Sequence, residues 1–210
     1  MFGLSVRIRT IAAAVAVASV LAQVPANAQD DGSMVLKTGT TFTFRGAMVP
    51  EGGCNEAYVP YDQFAKVSGR VILPETKANV YSFIEYWGRD DEIQVLRFSP
   101  NGNAFMYSKG KEYAFSMFGP VGTSFEMTEP GSGNSLRLVI VGNDLTVTLP
   151  TGVVYDNLTR MDMYCTSCGP EPVLMESRWY NRENPLGVWF RADNSPCRPR
   201  WLWLVSITTK

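Results

Sequence analysis

The 210-residue chain contains no histidine. That single absence removes Ser/His/Asp and Cys/His nucleophile systems, histidine general bases and every histidine metal ligand. Charge of one sign is also lacking: 19 basic side chains face 20 acidic ones, with no long run of lysine or arginine. The electrostatic footprint that nucleic-acid binding needs is therefore missing, and no nucleic-acid partner is expected. No segment after residue 28 keeps a helical period, and no Asp-x-Asp-x-Asp-Gly calcium loop occurs. The sequence gives no ground to expect a catalytic residue, a metal or a cofactor.

What is present is a globular composition, 45% apolar and 12% aromatic. The N-terminus carries Arg7 and Arg9 and no acid, then an apolar stretch from Ile11 to Ala22, then Ala26-Asn27-Ala28. This is the three-part pattern of an export signal, with cleavage expected after Ala28. Its apolar stretch is shorter than the roughly 20 residues that span a bilayer, so no transmembrane anchor is expected after cleavage. With no cysteine near the cut, lipid attachment is not expected, and with no Arg-Arg pair neither is the twin-arginine route. The alanine-rich stretch favours a bacterial route to the periplasm or the medium. Residues 29–39 are expected to form a flexible lead, and 40–210 one domain.

From Thr40 onward apolar and polar residues alternate in short pieces bounded by Gly, Pro, Asn and Asp, the pattern of half-buried strands. Strands are expected at Thr41 to Arg45, Arg70 to Leu73, Val80 to Trp87, Ile93 to Phe98, Ala104 to Ser108 and Glu112 to Phe118. Others are expected at Ser124 to Thr128, Leu136 to Val141, Leu145 to Leu149 and Val153 to Tyr155. Lys109-Gly110-Lys111 and Gly142-Asn143-Asp144 read as tight hairpin connections. Residues 160–200, rich in Cys, Trp and Pro, read as an irregular cross-linked segment leading into a last strand from Arg200 to Ile207. An outer-membrane barrel is disfavoured, because most strands are short and carry charge on the exposed side.

Cys54, Cys165, Cys168 and Cys197 make an even set in a chain expected to be exported, which favours two disulfides over a redox or zinc site. Pairings that join the Cys165/Cys168 region to both Cys54 and Cys197 are favoured, because they close long loops. A loop of about 100 residues is worth roughly 4.7 kcal/mol in the chain-entropy estimate. Glu85 with Asp90, Asp91 or Glu92 is the one carboxylate group dense enough for glycoside hydrolysis, and its position between strands suggests a solvated loop instead. The Asn157-Leu158-Thr159 sequon matters only in a eukaryotic secretory route.

Aromatics recur on neighbouring strands. Tyr81, Phe83, Phe105, Tyr107, Tyr113 and Phe115 are the candidates to line a small-molecule pocket. The antiparallel meander of about nine or ten short strands must close its edges or stack as two sheets. It resembles an up-and-down barrel of the calycin kind, favoured over a β-sandwich, although the early Gly-x-Trp of lipocalins is absent near Thr40 to Arg45. That resemblance of architecture implies one small apolar or amphipathic ligand held inside. The leading expectation is a non-catalytic envelope protein that binds such a ligand. The alternatives are a protein-interaction or structural module recognised through Arg178 to Trp203, and a carboxylate-based hydrolase.

Overall fold

Alternation decides which side of each strand meets the core. In Thr40–Met48 (β1), Phe42 and Phe44 are buried while Arg45 between its neighbours is exposed. In Val59–Ile72 (β2), Gln63, Ala65 and Val67 are buried and Asp62 and Lys66 are exposed. A side-chain period of two applied strand after strand yields a sheet with one apolar face, and such a sheet must curl or be covered. The computed structural model of the protein describes residues 36–48, 59–72, 80–87, 92–99, 103–108, 111–128, 133–192 and 200–210.

Ten more strands follow: Val80–Trp87 (β3), Glu92–Phe98 (β4), Asn103–Ser108 (β5), Lys111–Ser116 (β6), Ser124–Thr128 (β7), Ser135–Thr148 (β8), Val154–Cys165 (β9), Val173–Tyr180 (β10), Trp189–Ala192 (β11) and Arg200–Thr209 (β12). All described pairs are antiparallel, in the order β6-β5-β4-β3-β2-β1-β12-β11-β10-β9-β8-β7. The first and last strands pair with each other, Thr40 with Thr209 through Met48 with Arg200. This joins two six-stranded meanders into one nearly closed barrel. The edges β6 and β7 approach each other, but no hydrogen-bonded ladder joins them among the described residues.

The interior is packed by Phe42, Phe44, Ala65, Val67, Ile84, Leu158, Tyr180 and Leu204 among others. Two glycines mark close approaches. At Gly46 a Cβ would lie 2.4 Å from the Tyr61 ring and 2.6 Å from the Trp201 carbonyl oxygen. Gly187 takes φ +106° under the Phe190 ring, a conformation that favours glycine.

The all-β class and the up-and-down barrel are as the sequence indicates, with twelve strands in place of nine or ten. Three local expectations are corrected. Gly142-Asn143-Asp144 is no hairpin: β8 runs through it as one bent strand, with register shifts around Gly142 and Leu145 against β9. Positive-φ chemistry serves a bulge as well as a turn, and the bulge lets β8 curl. Residues 160–200 are not irregular throughout: β9 extends to Cys165, and β10 and β11 complete the sheet. The favoured mixed cysteine pairings give way to a Cys165–Cys168 disulfide, which closes the end of β9 with its Cα atoms 5.5 Å apart. That separation suits a disulfide without moving the backbone. Cys54 and Cys197 lie outside the described residues.

Candidate functional site

Inward side chains of β4 to β10 leave an internal cavity of about 340 Å3. This falls in the size range of small-molecule sites. Leu96 and Phe98 of β4, Phe115 of β6 and Leu138 of β8 give it apolar walls. Five of the nine methionines, Met106, Met117, Met127, Met161 and Met163, also face it. Thioether side chains are unbranched and polarisable, so a wall made of them can adjust to the shape of an apolar guest.

Gln94 of β4 and a charged pair on β10 interrupt this lining. Glu176 and Arg178 alternate inward on β10, opposite Met163 and Met161 of β9. Arg178 donates from Nε and Nη2 to Glu176 Oε1, at 3.0 and 2.7 Å. Its guanidinium also lies 4.7 Å from the centroid of the Phe190 ring, which in turn meets Phe44 edge-on at 5.6 Å. The cation is thus held by a carboxylate and an aromatic face together, which fixes its direction. A largely apolar chamber with one fixed charged pair is suited to an amphipathic molecule.

Pro185 and Leu186, from the turn between β10 and β11, also line the cavity. Nearby, the Tyr180 hydroxyl donates to the Met117 carbonyl at 2.7 Å. Burial pushes the Tyr180 phenol well above the ordinary tyrosine range, against a smaller opposing pull from Arg178, so it stays protonated and keeps this bond. Phe115, Met117 and Met127 come from the two edge strands and the link between them, which places the cavity beneath the β6/β7 seam.

The six aromatic candidates divide. Phe115 lines the cavity, Tyr107 borders it from the sheet face it shares with Phe105, and Tyr113 sits half-buried on β6 opposite Met106 without lining it. Tyr81, Phe83 and Phe105 share the opposite face of the sheet. There Arg97 spans the group, 3.7 Å over the Phe105 ring, 5.7 Å over Tyr81 and 3.3 Å from Glu112. Tyr81 also hydrogen-bonds Glu112 and meets Tyr107 at 6.2 Å, so this cluster clasps β3 to β6 from outside.

Glu85 accepts a hydrogen bond from Ser68. Asp90 and Asp91 lie outside the described residues, and nothing is described of the Glu92 side chain. Of the tryptophans expected to form an interaction patch, Trp179 is buried and stacks on Trp189 at 4.9 Å, with Arg160 over it at 5.0 Å. Trp189, Trp201 and Trp203 are half-buried.

Sequence reasoning missed Glu176 and the methionines, and placed Arg178 only at the start of an interaction stretch. The signal was present as Glu-x-Arg inside Val173–Tyr180, but charged residues on the inward face break the alternation that identifies a strand. No protein-family model, curated protein or solved structure matches the chain.

Proposed function

We propose that the protein is exported and holds one small amphipathic molecule in the barrel, with its apolar part among the methionines and its polar end at the Glu176/Arg178 pair. The observation that carries this reading is the internal cavity of about 340 Å3, largely apolar, whose charged lining residues among those described are Glu176 and Arg178 alone. Export rests on the N-terminal pattern and agrees with a disulfide at Cys165 and Cys168.

The test uses the anionic naphthalene dye 1-anilinonaphthalene-8-sulfonate. Fluorescence enhancement that saturates at one dye per chain is expected for the wild type, together with its loss in Met163→Trp, which fills the chamber. Circular dichroism of the variant checks that the fold persists. Dye binding that survives cavity filling unchanged would sink the reading.

A second reading, a protein-interaction module, is favoured by one observation: Trp87 is 38% exposed and stacks on Phe64 at 5.3 Å on the outer wall. Aromatic side chains in that setting are common interface anchors.

A further inference from the structure

A second recess, of about 690 Å3, opens where the bent middle of β8 and β9 meets the turn after β10. It shares no lining residue with the internal cavity. Among the described residues, only two that are not glycine have a left-handed backbone, Asp144 at φ 53° and Asn157 at φ 54°, and both line this recess. Such residues inside strands interrupt the ladder and turn their side chains out of register. Here the ladder between β8 and β9 shifts register three times.

The recess is braced by its own hydrogen bonds. Thr159 Oγ1 donates to Asn143 Oδ1 at 3.1 Å, and Asn143 Nδ2 donates to the Gly119 carbonyl at 3.0 Å. Asn181 Oδ1 accepts from the Asn184 amide at 2.9 Å. Thr146 Oγ1 donates to Asp156 Oδ1 at 2.7 Å. These groups hold the walls. Asp144, Asn157 and Glu183 take part in none of the described hydrogen bonds or ion pairs and are exposed at the recess.

The inventory constrains what fits. Asp144, Asp156 and Glu183 face a single guanidinium, that of Arg182, which lies 4.9 Å over the Phe118 ring. An anion would meet net negative charge. A purely apolar guest would desolvate carboxylates and amides without replacing their hydrogen bonds. The recess does offer apolar surface, in the half-buried rings of Phe118 and Tyr155. Among the described residues no cluster could hold a metal ion.

The guest that suits many acceptors, a few amides and one open ring surface is neutral, rich in hydroxyl donors, and carries flat C–H faces. We infer that this recess is a saccharide-binding site, independent of the internal cavity. Sugar hydroxyls donate to Asp144, Asp156 and Glu183 and accept from the Asn157 amide, while the C–H face of the ring lies on Tyr155.

The experiment titrates the full exported protein by calorimetry and saturation-transfer NMR with glucose, galactose, N-acetylglucosamine, maltose, cellobiose and chitobiose, with galacturonate and spermidine as charged comparisons. At least one neutral sugar is expected to bind in the millimolar range or tighter and galacturonate more weakly than its neutral parent. Asp144→Asn with Glu183→Gln is expected to weaken that binding tenfold or more, and Met163→Trp to leave it unchanged. Both acidic side chains are exposed and lack described partners, and asparagine tolerates a left-handed backbone, so the fold should hold. Glu183→Gln alone serves if the pair does not fold. The inference is overturned if no neutral sugar binds at tens of millimolar, if sugar binding is indifferent to the carboxylate substitutions, or if spermidine alone binds.

Discussion

Tyr180 shows how one side chain ties the interior together. Its ring packs edge-on against Phe118 at 5.5 Å while its hydroxyl satisfies the Met117 carbonyl across 63 residues of chain. Tyr180→Phe leaves that buried carbonyl without its partner, so a loss of about 1 to 3 kcal/mol is expected in urea denaturation at neutral pH. The raised phenol value also gives a pH dependence. The folded protein keeps a proton that the unfolded chain begins to release near the ordinary tyrosine value of about 10. This contribution is complete below that pH and is lost as pH rises from there toward the folded value. Stability above about pH 10 should therefore fall less steeply in Tyr180→Phe than in the wild type, and a urea series across that range measures it. At Gly46 the constraint is space. A methyl group there meets the Tyr61 ring and the Trp201 carbonyl, and since backbone cannot swing aside as a side chain does, Gly46→Ala should cost about 1 to 3 kcal/mol by thermal or urea unfolding.

Among the elements, those with clean alternation were legible and those with an interrupted pattern were not. Ser124–Thr128 has the bounds its sequence indicates, because Phe125 and Met127 alternate with polar neighbours between two turn-forming segments. β2 was seen only at its C-terminal end, since its inward Gln63 and Ala65 are neither large nor uniformly apolar. β10 was missed because Glu176 and Arg178 point inward, where a pattern search expects Leu or Val; local rules tend to fail at sites with a binding or catalytic task. The disulfide at the end of β9 joins residues three apart. The chain-entropy estimate gives so short a loop roughly 2 kcal/mol. Cys165→Ala with Cys168→Ala is accordingly expected to lower stability by no more than about that amount and to leave the barrel's far-UV circular dichroism unchanged. Collapse of the sheet in that variant would show that the pair does more than close a turn.

For the whole molecule, the telling feature is where closure stops. β1 and β12 lie at the centre of the strand order with partners on both sides, whereas among the described residues β6 and β7 each pair with one strand. Local opening is easiest where backbone hydrogen bonds are fewest, so amides on the open sides of β6 and β7 should exchange with deuterium much faster than those of β1 and β12. Uniform protection around the barrel would contradict an open seam. Bound dye should slow exchange at the seam, since Phe115 and Met127 line the cavity from either side of it. The sequence by itself determined the strand class and the antiparallel meander, because period-two alternation and turn chemistry act over a few neighbouring residues. It could not decide that β1 meets β12, that five methionines from four parts of the chain face one space, or that Asp144 and Glu183 share a recess. Those are contacts between distant segments. They follow from the register and curvature of the whole sheet, and only the tertiary structure fixes both.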